Sequence, residues 1–191
     1  MTASHRRALR AAVLSALLLP GFAARADDMS AAAALFYNTY LALPREGVIP
    51  GAAARARYAP LLSPRLNALL AQAAAADARF RARNKDAPPL FEGDLFSSLF
   101  EGFGSFRLGA CAGDANSGHC AVTLHHQDPG TPPARGAKGH NNEPVEWNDE
   151  VRLVRTPSGW KVDDIAYMAG FAFGNDGLLS QTLRMVISTQ P

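Results

Sequence analysis

At 191 residues, 48% hydrophobic and 19% charged, the chain is long enough to build one globular domain with a core and too apolar to stay disordered. Its formal charge is only +2, from 19 Lys+Arg against 17 Asp+Glu, so it lacks the cationic excess of a nucleic-acid binder. No apolar run reaches the roughly 20 residues of a bilayer span.

The N-terminus departs from the rest. His5, Arg6, Arg7 and Arg10 form a basic leader, Ala11 to Ala24 an apolar run, and Ala24-Arg25-Ala26 a small-x-small cleavage site. Residues 1–26 therefore read as a secretory signal peptide cut after Ala26, and residues 27–191 as a single domain. Pro20-Gly21 interrupts the apolar run, and no cysteine follows it to carry a lipid, so a soluble periplasmic product without a membrane anchor is expected. Arg6-Arg7 also has the arginine pair of a twin-arginine export signal, although its flanks fit poorly. Cleavage removes four arginines and no acid, which lowers Lys+Arg from 19 to 15 and turns the net charge from +2 to −2. The remaining basic cluster, Arg79, Arg81, Arg83 and Lys85, falls at a helix end, where cations complement the dipole, so no nucleic-acid partner is expected.

Ser30 is placed to cap a first helix in which Ala32, Leu35, Phe36, Thr39, Tyr40 and Leu43 recur at helical spacing, with Pro44 beyond its end. Tyr37 and Tyr40 either join that core or line a cavity beside it. After the turn Gly47 to Gly51, Ala52 to Tyr58 predicts a short helix. Ser63-Pro64 supplies a cap and a first-turn proline for a long helix whose apolar face is Leu66, Leu69, Leu70, Ala73, Asp77 and Phe80. Asp94 and Gly102 then bracket Leu95 to Phe100 as the cap and stop of a short apolar helix, with Glu92 and Glu101 as surface residues.

From Ser105 the period changes to two. Phe106, Leu108 and Ala110 lead to Cys111, and Cys120, Val122 and Leu124 lead back, predicting a hairpin closed by a Cys111–Cys120 disulfide. Direct pairing of the cysteines conflicts with the parity of Leu108 and Val122, which places Cys111 beyond the regular ladder or at a bulge. His125 and His126 are adjacent on a strand and face opposite ways, so they cannot share an ion, and neither metal nor cofactor is expected. The polar run 127–144, with Arg135, Lys138 and His140, reads as a long loop.

Val145 to Arg155 alternates Val145, Trp147, Asp149, Val151 and Leu153 inward with Glu146, Asn148, Glu150 and Arg152 outward. A two-residue Pro157-Ser158 turn joins it to Gly159–Tyr167, whose Trp160, Val162, Asp164 and Ala166 share a face. That register sets Leu153 against Val162, Val151 against Asp164 and Asp149 against Ala166, making Asp149 and Asp164 diagonal neighbours roughly 7–8 Å apart. Asp163 and Asp164 point to opposite faces and so cannot act as a pair. Leu178, Leu179, Leu183, Val186 and Ile187 predict a closing helix after the glycine-rich stretch Gly170 to Gly177.

Helices followed by an antiparallel meander predict an α+β plan, helices on a curved sheet. In order along the chain, Tyr37-x-x-Tyr40, Gly47-x-Ile49-Pro50, Leu62-Ser63-Pro64-Arg65-Leu66, Gly93-Asp94-Leu95-Phe96, Trp147-x-Asp149 and Trp160-Lys161-Val162-Asp163-Asp164-Ile165-x-Tyr167 resemble the exported bacterial family named domain of unknown function 3828. That family is similar to the nuclear transport factor 2-like (cystatin-like) superfamily, so the resemblance implies a conical fold enclosing a pocket, and no established activity. The candidate pocket residues are Tyr37, Tyr40, Trp147, Asp149, Trp160 and Asp164. No nucleophile elbow, zinc signature or phosphate loop is present, which favours a non-enzymatic protein binding a small ligand or an envelope partner. The alternatives are a cone-pocket hydrolase, isomerase or dehydratase with Asp164 as base and Asp149 or Tyr40 orienting it, and an immunity-type inhibitor of a periplasmic toxin. A further reading makes both aspartates structural, accepting hydrogen bonds from backbone or Arg65. The outward strand positions are too polar to decide between monomer and homodimer.

Overall fold

The computed structural model describes residues 21–44, 48–126 and 144–189. The leader up to residue 20, Gly47 and the loop 127–143 with Arg135, Lys138 and His140 lie outside the described residues. Four helices and five strands follow in the order α1 (Gly21–Ala42), α2 (Ala52–Tyr58), α3 (Pro64–Arg83), β1 (Ser105–Gly113), β2 (Ser117–His126), β3 (Val145–Thr156), β4 (Gly159–Tyr167), β5 (Gly177–Leu178) and α4 (Leu179–Ser188). The strands make one open antiparallel meander, β1-β2-β3-β4-β5, with α1 lying across β1 to β4 and α3 and α4 packed on each other and on β4. Among the described residues no helix is long and apolar enough to cross a membrane.

α1 starts well before Ser30, which sits inside the helix rather than at its cap, and Ala26 lies within the same helix. The buried stripe is Met29, Ala33, Phe36, Tyr37 and Tyr40, while Leu35 is 55% exposed. The alanines at 31–34 carry little periodic information, so the aromatic rings, with more area to bury, set the rotation. Phe36, Tyr37 and Tyr40 meet Tyr58, Phe96, Phe103 and Phe106 in an aromatic core, with Tyr40 stacked on Phe103 at 4.2 Å between centroids. The Met29 thioether lies against Gly118 at the tip of β2, and Asp28 is 3.6 Å from Arg155. The cap of α3 is as the sequence predicts: Ser63 Oγ accepts from the Leu66 amide at 3.0 Å, with Pro64 at the first turn.

Cys111 and Cys120 are direct partners at disulfide distance, Cα to Cα 4.0 Å, and the bulge expected from their parity is present. Leu108 pairs with Val122, so Gly109 and Ala110 together oppose Ala121. Between β3 and β4 the register corrects the expectation. Leu153 does face Val162, but Arg152 faces Asp164, Val151 faces Ile165 and Glu150 faces Ala166, leaving Asp163 as an extra residue. One inserted residue reverses the alternation, so the face begun by Trp160 and Val162 continues with Ile165 and Tyr167.

The segment 91–102 is not a helix. Asp94 does accept from the Phe96 amide at 2.8 Å in the manner of a cap, but the buried residues that follow form bends and a β-bridge instead. Leu99 bridges Gly174, and Asn175 Nδ2 donates to the Asp94 and Ser97 carbonyls at 2.6 and 2.7 Å. Carbonyls that an isolated helix would use internally are taken by a tertiary partner. Leu178 belongs to β5 and not to the last helix, of which it is the flanking residue.

Candidate functional site

Asp149 and Asp164, both buried, have separate sets of partners. Asp149 takes four donors: the Ser98 amide at 2.8 Å, the Ser98 hydroxyl, the Trp147 indole at 3.2 Å and the Met168 amide at 3.0 Å. A carboxylate offers about four lone-pair sites, so this one is fully used in tying the 94–101 loop and the end of β4 to β3. Asp164 accepts from the Ile165 and Ser180 amides at 3.0 and 2.9 Å through Oδ1, and from Arg65 at 3.3 Å through Oδ2. It fixes the start of α4. No donor is shared between Asp149 and Asp164.

The β4 bulge corrects the expectation for Asp163 and Asp164. A single guanidinium, that of Arg65, bonds both: Nη2 lies 2.7 Å from Asp163 Oδ2 and 3.3 Å from Asp164 Oδ2. Ser63 Oγ donates to Asp163 at 2.5 Å, and Arg65 also reaches the Asp163 carbonyl at 2.6 Å. Burial works to raise the Asp163 pKa, and the hydrogen bonds from Arg65 and Ser63 outweigh it, so the carboxyl titrates below its ordinary range. The bond to Asp163 raises the Arg65 pKa further, against partial desolvation.

Of the six candidate pocket residues, Tyr40 lines the cleft described below. Tyr37 is fully buried; burial, then the neighbouring Asp149, Tyr167 and Asp94, keeps its hydroxyl far above the ordinary phenol range and therefore neutral. Trp147 packs on Phe171, and Trp160 lies under the Arg155 guanidinium at 5.7 Å. His125 pairs with Glu146 at 3.2 Å on the outer face, whereas His126 Nδ1 meets the Gly102 carbonyl at 2.9 Å, so the two histidines do diverge. Among the described residues no group of three or more His, Cys, Asp and Glu is placed to hold a metal.

Open space lies instead at the edge of the helix layer, in a cleft of about 290 Å³ between the end of α1, the segment 48–54, Tyr58 and the 93–101 loop. Its apolar walls include Leu43, Val48, Pro50, Ala54 and Leu95, with the rings of Tyr40, Tyr58, Phe96 and Phe100. Asp94 and Glu101 are its acidic residues. The Tyr40 hydroxyl donates to Asp94 Oδ2, which with the Phe96 amide on Oδ1 fixes the carboxylate in place. Gly93 has φ +87°, and a Cβ there would come within 2.5 Å of the Phe100 ring, so the loop needs glycine for its aromatic wall to close over the backbone. The loop is held from behind by Asp149, Asn175 and the Tyr167 hydroxyl, which donates to the Leu95 carbonyl at 2.7 Å.

Asp94 and Glu101 were assigned by sequence to a cap and to the surface, and both line the cleft. Their spacing carries no signal, because the walls come from segments that only the fold assembles. No family model, characterised protein or solved structure matches the chain.

Proposed function

We propose that this is an exported, periplasmic protein that binds a small ligand, without chemistry, in the cleft beneath the 93–101 loop. The leader with its small-x-small site at Ala24–Ala26 and the Cys111–Cys120 pair at disulfide distance support an oxidising compartment. The α+β plan is compatible with the unknown-function 3828 resemblance and its cone, with the ligand space moved from the cone interior to its edge.

The observation that carries the binding reading is the cleft itself: concave, mostly apolar, bordered by a few fixed polar groups, and near the small end of the roughly 300–1,000 Å³ typical of ligand pockets. Asp164, the candidate base, accepts from two main-chain amides and Arg65, and Asp149, which was to orient it, from four donors of its own, which favours tethering over base catalysis. The partner-binding reading draws on Phe173, 90% exposed, and Met168, 63% exposed, side chains that stand out from the loop after β4. Native mass spectrometry of protein purified from the periplasm separates the two. A retained small-molecule adduct, lost in an Ala54→Trp variant that fills the cleft, is the expected result. A protein-sized adduct that survives Ala54→Trp overturns it in favour of partner binding.

A further inference from the structure

Asp77 stands with Leu66, Leu70, Ala73 and Ala76 on the buried stripe of α3 and is itself only 6% exposed. A carboxylate placed there is costly unless its oxygens are bonded. Oδ2 pairs with Arg81 Nη2 at 2.5 Å, one turn along the helix, and Oδ1 has no partner among the described residues. Asp77 therefore keeps acceptor capacity that Asp149 has used. It borders a groove of about 350 Å³ between α3 and the segment 49–55, which Arg55 also lines. We propose that this groove binds a small zwitterion, an α-amino acid with an aliphatic side chain, its ammonium on Asp77 Oδ1 and its carboxylate on Arg55. The site is distinct from the cleft beneath the 93–101 loop, with which it shares Pro50 and Gly51.

Both charged groups are already positioned. Arg55 Nη1 donates to the Pro50 carbonyl at 2.7 Å, which orients the guanidinium, while its Nε and Nη2 have no partner among the described residues. That edge of the fork is the one that takes a carboxylate in bidentate fashion. The bond from Arg81 in turn holds Asp77, so neither group has to give up rotamer freedom when a ligand arrives. The rest of the lining is largely apolar, with Ala74, Ala75 and Ala78 of α3 beside Ile49 and Pro50. Methyl groups on the helix leave room that longer side chains would fill, and an aliphatic side chain laid there leaves water. An amine alone would use Asp77 and gain nothing from Arg55, and a carboxylate alone would do the reverse. A molecule carrying both charges uses both, and a groove near the small end of ligand sites suits a compact one.

The test uses leucine, leucinamide, which keeps only the ammonium, and N-acetylleucine, which keeps only the carboxylate, titrated by calorimetry into the disulfide-intact protein. Leucine is expected to bind roughly tenfold or more tightly than either analogue, the difference a charge-assisted hydrogen bond makes. Asp77→Asn is expected to bring leucine down to the level of N-acetylleucine, and Arg55→Gln to the level of leucinamide. The second variant keeps the proposal falsifiable if the first does not fold. Ala78→Trp, at an exposed position of α3 that lines the groove, is expected to abolish leucine binding, whereas Ala54→Trp, which fills the other cleft, is expected to leave it in place. Leucine bound no more tightly than its two analogues would overturn the zwitterion. Leucine retained in Ala78→Trp, lost in Ala54→Trp, or not bound at all would overturn the site.

Discussion

Replacing Asp149 by asparagine and Asp164 by asparagine is the same chemical change at two buried sites, and the structure assigns the two changes different costs. Each oxygen of Asp149 accepts from a main-chain N–H that cannot turn away: Met168 on Oδ1 and Ser98 on Oδ2. An asparagine amide placed in either orientation sets its NH₂ against one of them. The better orientation leaves the Met168 amide without an acceptor, at about 1–3 kcal/mol, and turns the surviving charge-assisted bonds into neutral ones of roughly half the strength. The expected loss is about 3 kcal/mol, or roughly 6–12 °C in Tm for a domain of this size. At Asp164 both main-chain donors, Ile165 and Ser180, converge on Oδ1, and Oδ2 sees only Arg65 at 3.3 Å. Asparagine keeps its carbonyl on Oδ1 and gives up that one partly exposed contact, while Arg65 retains Asp163. The expected loss there is about 1 kcal/mol. Urea unfolding of the disulfide-intact proteins, followed by tryptophan fluorescence with the m-value held constant, measures both. An Asp149→Asn protein within 1 kcal/mol of the parent, or an Asp164→Asn protein as unstable as Asp149→Asn, would refute the assignment of donors to individual oxygens.

The Arg65 pair gives a pH signature. Because the Asp163 pKa is lowered in the folded protein, its contribution is fully present above the ordinary carboxylate range and is lost as pH falls through the lowered folded value. Arg65→Met should therefore cost about 1–2 kcal/mol near neutral pH, discounted for exposure of the guanidinium, and the gap to the parent should close as pH falls below about 4; a gap independent of pH would contradict the pairing. Reduction of the Cys111–Cys120 link, which closes a loop of nine residues' separation, should cost about 2–3 kcal/mol, and thiol titration of the unreduced, denatured protein should find no free cysteine. Two titratable thiols there would refute the link.

The parts of the fold written in local patterns were legible. Ser63-Pro64 announces α3, the alternation of β3 places Trp147, Asp149, Val151 and Leu153 inward, and the parity of the cysteine strands requires the bulge that is found. The second bulge left a fainter trace: the large apolar residues change parity from Trp160 and Val162 to Ile165 and Tyr167, but Asp164 and Ala166 also fit an unbroken alternation, which hides the added residue. Its cause is tertiary: Arg65 and Ser63 take the Asp163 side chain, while Leu61 and Ser63 pair with Val162 along the edge of β4. The same explains the 94–101 loop, where the side chain of Asn175 outcompetes a sound local helix signal. The cleft was illegible for a related reason. Tyr40 belongs to α1, Ala54 and Tyr58 to α2 and Phe100 to the 93–101 loop, three segments with no common period, and only the loop tethers bring them to one space.

The seat of α1 bears on the order in which the chain organises itself. Met29 rests on Gly118, Asp28 reaches Arg155, and Tyr40 holds Asp94, so α1, synthesised ahead of the strands, finds its partners only after most of the chain has followed. Until β1 and the segment leading into it have joined the sheet, Phe36, Tyr37 and Tyr40 lack Phe96, Phe103 and Phe106 to bury against. Assembly of the meander, a set of long-range pairings that form slowly, thus sets how long those rings stay exposed, and slowing it lengthens the interval in which the chain is prone to aggregate.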